Sequence, residues 1–397
     1  MKSKEIPYLM MKTSKSKLPA TMKILFVLGS RGEWGYIKPV IEKAQERGHV
    51  AEIWACNMSV IGRFGQLADE IENQGFVIRQ RSLTAIDGDS RLAMSRSFGV
   101  TALSFSDFIS NNQYDWIVFS GDRSEQLAAV IVAAMNYIPI AHIQAGEKSG
   151  NIDGVSRHAI ARFAHLHFAS NMDAAIRLER SGEDKNRIHI TGAPQLDDIK
   201  LDQLPKVEEL ISRNIIAKQD YILAVLHGTT EDEREAQIQA ETLIEVLTEQ
   251  ESDVIWIGSN NDSAASEIGA LVKGSLRVND KYYVNLNRMD YLSLLANAKL
   301  LIGNSSSGIL EAPTFKTPVI NLGRRQDGRI QAKNIIQGDF TRNSISACLN
   351  RARTTEFLNE CVDAVNPYGI GNSSQLVVEI LETTVTDYNF LTKQISY

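Results

Sequence analysis

Cysteine is scarce in this chain of 397 residues, which contains only Cys56, Cys348 and Cys361. The three lie far apart and form no CxxC or Cys/His spacing, so neither a disulfide framework nor a zinc site is indicated. We therefore expect a protein of a reducing compartment, the cytoplasm.

Positive charge is not in excess, since the formal net charge is −6. Nucleic acids and anionic membrane surfaces attract proteins through a basic field, which this composition lacks. We expect neither kind of partner, so any anionic ligand has to be held by local groups.

A long apolar run is missing from the first twenty residues, MKSKEIPYLMMKTSKSKLPA. They contain no segment that resembles a signal peptide or a spanning helix. We interpret residues 1–21 as a disordered leader.

From residue 23 onward, short apolar runs rich in Ile and Val alternate with helix-like segments. Examples are KILFVL, DWIVFS and IPIAHI, followed after a polar stretch near residue 200 by YILAVLH, DVIWIGS, KLLIGN and PVINLG. Such runs are typical of parallel strands covered on both faces by crossover helices. The pattern predicts an α/β protein with two Rossmann-like doubly wound domains, at residues 22–200 and 201–375, followed by a C-terminal helix and tail at 376–397.

Six loops that follow predicted strands carry polar residues. They are GSRGEWG (29–35), GDRSEQ (121–126), QAGEKSGNIDG (144–154), HGTTEDE (227–233), GNSSSG (303–308) and GRRQDGR (323–329). Ligands of open α/β sheets bind at the carboxyl ends of strands. If the two domains face each other, all six loops meet in one cleft.

GNSSSG has the small residues of a diphosphate cradle at a strand-to-helix turn. A helix that starts near Ser306 would place Glu311 one turn beyond Ser307, where its carboxylate suits the two hydroxyls of a ribose. The alternative is that Ser305 only caps the helix and that Glu311 is solvated.

Acids and arginines mark the other loops. Asp122, Glu147 and Asp153 follow buried strands, so they are candidates for acid/base work or, alternatively, helix caps. Arg31 offers a forked donor for phosphate or a surface salt bridge. Arg329 belongs to a basic loop that either closes over a diphosphate or lies in water.

Histidines are concentrated near the acidic loop, at His142, His158, His165 and His167. No third ligand follows at a recognisable metal spacing, so we predict no metal site. His227, at the end of YILAVLH, is the histidine that we expect to be functional.

Together, GSRGEWG, GDRSEQLAA, IPIAHIQAGE, TGAPQLDDI, IGNSSSGILEAP and GRRQDGR resemble the hydrolysing UDP-N-acetylglucosamine 2-epimerases of sialic-acid and related nonulosonic-acid synthesis. The resemblance runs from about residue 23 to about residue 372. It implies a GT-B fold with the active site between the domains, and a homodimer or homotetramer. It also implies a reaction without cofactor: anti elimination of UDP from a UDP-2-acetamido sugar gives a glucal, and water then adds to release the free sugar.

The resemblance also implies roles for individual residues. The catalytic set is Asp122, Glu147, Asp153 and His227. The substrate-binding set is Arg31, Gln144, Arg157, His158, Asn304, Ser305, Ser306, Ser307, Gly308, Glu311 and Arg329.

Some motifs depart from the family pattern. The usual HIHGGE is replaced here by HIQAGE, with the neutral Gln144, and the usual His-Pro-Glu by His227-Gly228-Thr229. QAGEKSGNIDG is closer to the branch that acts on UDP-2,4-diacetamido-2,4,6-trideoxyglucose, the legionaminic-acid precursor, so both this sugar and UDP-GlcNAc stay open. A GT-B glycosyltransferase and a nucleotide-sugar sensor without turnover are the alternative functions.

Overall fold

The computed structural model describes residues 21–62, 66–86, 91–148, 152–228, 233–258, 265–284 and 286–396. The predicted leader lies outside the described residues except for its last residue, as do residues 149–151 of the acidic loop and 229–232 of the HGTTEDE loop. The described chain divides into two compact units, one of residues 21–147, 152–197 and 371–396, the other of residues 148 and 198–370. The sequence pattern placed the corresponding boundaries at 200 and 375.

The first unit is built on a parallel sheet with the strand order β3-β2-β1-β4-β5-β6-β7. Its strands are β1 (Lys23–Leu28), β2 (Val50–Cys56), β3 (Ile78–Ser82), β4 (Trp116–Ser120), β5 (Ile140–Ile143), β6 (Leu166–Ala169) and β7 (Ile188–Ile190). Its helices are α1 (Arg31–Glu46), α2 (Leu67–Asn73), α3 (Arg91–Ser110), α4 (Ser124–Met135), α5 (Ile152–Phe163) and α6 (Met172–Arg180), with 3-10 turns at Asn57–Val60, Lys185–Arg187 and Pro194–Leu196.

The core of this unit follows from the alternation of side chains along each strand. In β1, Ile24, Phe26 and Leu28 enter one apolar cluster, whereas Leu25 and Val27 enter another. Successive side chains point to opposite faces of a strand, so both faces of this sheet are covered. Full burial of one such side chain contributes about 1.5–3 kcal/mol.

The second unit has a parallel sheet with the order β10-β9-β8-β11-β12-β13. Its strands are β8 (Tyr221–Val225), β9 (Asp253–Ile257), β10 (Lys281–Tyr283), β11 (Leu301–Gly303), β12 (Val319–Leu322) and β13 (Ile335–Gly338). Its helices are α7 (Val207–Ser212), α8 (Glu233–Thr248), α9 (Ala265–Ser275), α10 (Arg288–Asn297), α11 (Ser306–Leu310), α12 (Ala312–Phe315), α13 (Arg342–Ala352) and α14 (Thr355–Val362), with a 3-10 turn at Leu201–Gln203.

Each sheet reverses its strand order at one point, between β1 and β4 in the first unit and between β8 and β11 in the second. The crevice at the carboxyl ends of such strands is the usual ligand position in doubly wound folds. The polar loops predicted from the sequence follow the neighbouring strands β1, β4 and β5 and the neighbouring strands β8, β11 and β12, as expected. That all six loops share one cleft stays a prediction.

The last part of the chain joins the first unit through α15 (Ser373–Thr383) and α16 (Tyr388–Leu391). Both oxygens of the Asp197 carboxylate accept the first amide hydrogens of α15, from Ser373 at 3.0 Å and Ser374 at 2.6 Å. Val377 and Leu381 of α15 lie in the same apolar cluster as β1. This helix therefore contributes to the core of the first unit.

Three strands at the edges of the sheets, β3, β7 and β13, were not among the predicted strands. β3 reads IRQRS and is mostly exposed, so it lacks the apolar run that marks the central strands. No helix in the described part of the chain is long and apolar enough to cross a membrane.

Candidate active site

A single buried arginine organises the acidic loops of the first unit. Arg157 lies on α5 and pairs through Nη2 with Oδ2 of Asp122, which follows β4. Its Nη1 donates to the backbone carbonyl of Gln144 at 3.1 Å and lies 3.8 Å from Oε2 of Glu147. The structure thus brings together four of the predicted residues.

Charge balance explains why this arginine is tolerated in the interior. Burial opposes the charge of Arg157, but the carboxylates of Asp122 and Glu147 outweigh it and raise the pKa of the guanidinium. The side chain of Glu147 is only 3% exposed, whereas that of Asp122 is 18% exposed. Asp122 is therefore the acid of this pair that is more open to a reacting group.

The turn between β5 and α5 has an unusual backbone. Gln144 adopts a left-handed conformation with φ of 58°, and Gly146 follows with φ of 77°. A Cβ atom on Gly146 would lie 2.4 Å from the carbonyl oxygen of Ala174, so only glycine fits there. The side-chain nitrogen of Gln144 is buried and has no hydrogen-bond partner among the described residues. It is a donor that a bound sugar could satisfy.

His142 supports the loop that carries Asp122. Its Nε2 donates to the backbone carbonyl of Gly121 at 2.8 Å, and burial lowers the pKa of the imidazole to about 3. The ring is therefore neutral and acts as a fixed donor. It holds the turn immediately before Asp122.

His165 and His167 have hydrogen-bond partners outside this site. His165 accepts the amide hydrogen of Ile140 at 3.1 Å, and His167 pairs with Glu183 at 2.9 Å. No cluster of three or more potential metal ligands occurs among the residues that the structure describes.

Asp153 and His158 share α5 with Arg157. Asp153 lies in the first turn of the helix and is partly exposed. Burial and the neighbouring charges of Arg177 and Arg157 lower the pKa of His158. His158 is therefore a neutral side chain beside the acidic loop.

Arg31 has the surface partner that the sequence left as an alternative. Its two terminal nitrogens reach the two carboxylate oxygens of Glu70, at 2.8 and 2.9 Å, and its side chain is 36% exposed. Phosphate binding by Arg31 stays a prediction. The guanidinium has five N–H groups, and the pair with Glu70 uses two of them.

Sequence reasoning missed a buried group beside Arg31. Glu33 and Glu125 are both buried at the starts of α1 and α4, and Arg123 donates to Glu125 at 2.8 Å. Arg123 directly follows Asp122 in the chain, and the negative charges of Glu125, Glu33 and Asp153 raise the pKa of its guanidinium against the effect of burial. The sequence shows only that Glu33 comes shortly after β1 and that Glu125 comes shortly after β4. The two acids come close together because β1 and β4 are neighbours in the sheet.

In the second unit, Asn304 fixes His227. The Asn304 Oδ1 accepts the backbone N–H of His227, and its Nδ2 donates to the carbonyl of the same residue, both at 2.8 Å. Asn304 therefore positions the backbone of His227, and its contact with the substrate stays a prediction. His227 is held at the end of β8, beside the start of the GNSSSG loop.

The serine loop is a connected chain of hydrogen bonds. Tyr291 donates to Ser307 at 2.7 Å, and Ser307 donates to Oε2 of Glu311 at 2.5 Å. The other oxygen of Glu311 pairs with Arg288 at 2.5 Å. Glu311 is therefore buried and partnered, one turn beyond Ser307 as predicted, and the alternative of a solvated acid is wrong.

The remaining residues of this loop have distinct positions. Ser305 caps α11, since its hydroxyl accepts the amide hydrogen of Ser307 at 3.3 Å, and Ser306 is partly exposed. A Cβ atom on Gly308 would lie 2.9 Å from Val319, so this glycine allows close helix-to-strand packing. Diphosphate binding by these residues stays a prediction.

The basic loop after β12 is partly anchored. Arg325 and Gln326 both donate to the backbone carbonyl of Asn304, at 3.2 and 2.9 Å. Arg324 is 95% exposed, whereas Arg329 is half-buried and its Nε donates to the carbonyl of Lys148 at 3.4 Å. The loop is therefore not a uniform solvated run, because two of its side chains hold the start of the serine loop.

Comparison with known proteins identifies the family. The sequence profile of the UDP-N-acetylglucosamine 2-epimerase family matches residues 52–382. A UDP-N,N'-diacetylbacillosamine 2-epimerase (hydrolyzing) from Legionella pneumophila is 28% identical, with 94% of this chain and 99% of the relative covered. A UDP-N-acetylglucosamine 2-epimerase from Neisseria meningitidis serogroup B is also 28% identical, with 92% and 96% covered.

The fold agrees with these relatives. A solved UDP-GlcNAc 2-epimerase from Neisseria meningitidis, bound to UDP-GlcNAc, matches with a TM-score of 0.78 at 18% identity, covering 91% of this chain and 100% of that chain. The prediction of two Rossmann-like domains in a GT-B-like fold is confirmed. The chain belongs to the UDP-N-acetylglucosamine 2-epimerase family.

Proposed function

We propose that this protein is a hydrolysing 2-epimerase that converts a UDP-2-acetamido sugar and water into the free 2-epimeric sugar and UDP. The observation that carries the proposal is the buried Arg157, which holds Asp122 and Glu147 together at the ends of β4 and β5. A structural ion pair needs one carboxylate for one guanidinium. Here two carboxylates surround one arginine, so one carboxylate is available for acid/base chemistry in addition to the one that balances the charge of Arg157.

The first unit supplies the proton chemistry. A carboxylate of the set Asp122, Glu147 and Asp153 removes the proton from the second sugar carbon while the bond from the first carbon to UDP breaks. The product of this anti elimination is a 2-acetamidoglucal. Water then adds to the double bond, with hydroxyl at the first carbon and a proton at the opposite face of the second. Arg157 keeps the carboxylates in place throughout, and the buried amide nitrogen of Gln144 donates to the sugar.

Most of the groups that bind the leaving UDP lie in the second unit. Ser305, Ser306 and Ser307 bind the diphosphate, and Glu311 accepts hydroxyls of the ribose. Each carboxylate oxygen can accept two hydrogen bonds, so the contacts of Glu311 with Ser307 and Arg288 leave room for this role. His227, held by Asn304, assists the departure of UDP. Arg31 and Arg329 add positive charge near the phosphates.

The sugar is either UDP-GlcNAc or the UDP-2,4-diacetamido-trideoxy analogue. Relatives named for each sugar are similar to this chain to nearly the same degree, at 28% and 30% identity for two diacetylbacillosamine 2-epimerases and 28% for a UDP-N-acetylglucosamine 2-epimerase. The neutral Gln144 in place of the family's usual histidine favours a pocket that recognises a different set of sugar substituents. The product would feed sialic-acid synthesis in the first case and legionaminic-acid synthesis in the second.

Proton NMR in heavy water tests the reaction and the sugar together. The purified protein is incubated separately with each UDP-sugar and no acceptor, and we expect one of them to give UDP and free sugar of the manno configuration with deuterium at the second carbon. UDP release without epimerisation contradicts the mechanism. Turnover only after an acceptor is added supports a glycosyltransferase, and binding without turnover supports a sensor.

A further inference from the structure

The loop between β1 and α1 is held by a buried carboxyl group. Oε2 of Glu33 accepts the backbone N–H groups of Gly29 at 2.5 Å and Ser30 at 3.0 Å. Ser30 is also the N-cap of α1, so Glu33 completes a capping box. This arrangement fixes the backbone immediately before Arg31.

A second buried carboxyl approaches the same loop from α4. A Cβ atom on Gly29 would lie 2.4 Å from Oε1 of Glu125, so the carboxyl of Glu125 rests directly on the glycine backbone. Arg123 donates to the same oxygen at 2.8 Å. Glu33 and Glu125 therefore meet at the point where the strand order of the first sheet reverses.

Two acids this close and this deeply buried cannot both be ionised without cost. Burial, and next the charge of Glu125, raise the pKa of Glu33 to about 8, although Arg123 and the two backbone N–H groups act in the opposite direction. The Cys56 thiol at the end of β2 lies in the field of the same pair, and burial together with the two acids raises its pKa. At neutral pH, Glu33 and Cys56 are both uncharged.

We propose that Glu33 is a proton-dependent positioning residue, whose neutral carboxyl fixes the Gly29–Arg31 loop and the Glu125–Arg123 pair, which lies in the segment directly after Asp122. The role in turnover rests on the proposed function. When Glu33 ionises, its charge and that of Glu125 repel each other across Gly29. The loop that presents Arg31 and the side chain of Arg123, which directly follows Asp122 in the chain, then lose their fixed positions.

The sign of the stability effect follows from the raised pKa. The pKa of the Glu33 carboxyl is about 8 in the folded state and 4.5 when the side chain is exposed to water, so the folded state binds this proton more tightly. The stability that this proton provides is complete at low pH and is lost as the pH rises between these two values. Glutamine at position 33 cannot ionise, yet its side-chain oxygen can still accept the two backbone N–H groups.

The test compares pH profiles of kcat/KM for the wild type and Glu33→Gln, from about pH 6 to about pH 9.5, with UDP release as the readout. With a titration near pH 8, we expect wild-type kcat/KM to fall about tenfold between pH 7 and pH 9, and this fall to be absent from Glu33→Gln. In Glu125→Gln the fall should also be absent, because an ionised Glu33 then has no neighbouring negative charge to repel it. The same alkaline fall in all three proteins overturns the proposal.

A second measurement separates this inference from the proposed function. Thermal unfolding midpoints over the same pH range do not require turnover, and we expect the wild type to lose stability toward alkaline pH more steeply than Glu33→Gln. If the wild type consumes neither UDP-sugar, the proposed function is wrong. The difference between the two proteins in how the unfolding midpoint changes with pH would still report the buried proton of Glu33. Parallel slopes overturn the inference whatever the enzyme does. A purely structural role for Glu33 changes the slopes but leaves the alkaline fall in kcat/KM in place.

Discussion

The two units place their predicted functional residues at the same topological position but hold them by different contacts. In the first unit, the buried guanidinium of Arg157 pairs with Asp122 and Glu147. In the second, neutral hydrogen bonds join the Asn304 amide to His227 and the hydroxyl of Ser307 to Tyr291 and Glu311, and Glu311 also pairs with Arg288. The doubly wound sheet thus fixes where a site forms, whereas the loop residues decide what it does.

The difference has an energetic side. Breaking a buried ion pair by removing one partner costs about 3–5 kcal/mol, whereas a typical neutral hydrogen bond contributes about 0.5–1.5 kcal/mol. We expect substitutions in the first unit to have larger and more pH-dependent effects than those in the second. The predictions below test this contrast, beginning with the largest effect.

Asp122→Asn should lower turnover by about a thousandfold, since a positioned acid/base group contributes about 10²–10⁴ to the rate. UDP release measures this loss. Affinity for UDP alone, measured by calorimetry, should stay close to that of the wild type because Asp122 is not among the proposed UDP contacts. The exposed Asp107 on α3 supplies the control, Asp107→Asn. Turnover by Asp122→Asn at the wild-type rate would remove Asp122 from the catalytic set.

Arg157→Met should destabilise the protein by about 3–5 kcal/mol, because two buried carboxylates lose their counter-charge. Without the guanidinium, the two buried negative charges lack compensation, and acid neutralises them. The deficit in urea unfolding should therefore be largest near neutral pH and shrink as the pH is lowered. Arg157→Lys keeps a positive charge and should recover part of the loss. A deficit that does not change with pH would argue for lost packing alone.

Asn304→Ala should lower kcat by about 10–100-fold, since two hydrogen bonds to His227 are lost at about 1 kcal/mol each and the histidine is no longer fixed. The matched control is Asn334→Ala, because Asn334 is a buried asparagine of the same unit that donates to Thr317 at 2.7 Å. Both variants should lose stability, but only Asn304→Ala should lose turnover. If both variants lose the same amount of kcat, the loss follows from lower stability of the second unit and not from the position of His227.

Ser307→Ala should weaken UDP binding by about tenfold, or about 1.4 kcal/mol, because it removes the link between Tyr291 and Glu311. Calorimetry with UDP measures this directly. Ser293→Ala is a suitable control, since Ser293 is buried in the same unit and donates to the carbonyl of Pro205 at 2.5 Å. Unchanged affinity in Ser307→Ala would move the proposed UDP site away from the serine loop.

Glu70→Ala should change UDP affinity by no more than a few-fold, because an exposed salt bridge contributes about 0–1 kcal/mol. If Arg31 binds phosphate, freeing it from Glu70 should tighten UDP binding slightly. The control is Glu72→Ala, which removes a surface partner of Arg81. Weaker binding after Glu70→Ala would mean that the salt bridge orients Arg31 for the phosphate.

The sequence predicted the central strands and the polar loops well, for physical reasons. β1 matches KILFVL residue for residue because a strand buried on both faces must be apolar throughout. The edge strand β3 was missed because an exposed strand needs no such run. Ser307 and Glu311 were correctly placed on one helical face, since this spacing is local.

Contacts between distant parts of the chain were not predictable in the same way. Glu33 and Glu125 are far apart in sequence and meet only because β1 neighbours β4 in the sheet. Asn304 faces His227 because β8 neighbours β11. A pattern of residues along one strand carries no information about which strand lies beside it.

The assignment of α15 to the first unit also bears on how the protein is made. Translation runs from the amino end, so residues 198–370 are complete before α15 exists. Until then the apolar cluster around β1 lacks Val377 and Leu381. The second unit can therefore fold on the ribosome while the first still exposes an unfilled groove. A chain that ends after residue 370 but before α15 would leave exposed the apolar side chains that Val377 and Leu381 otherwise cover.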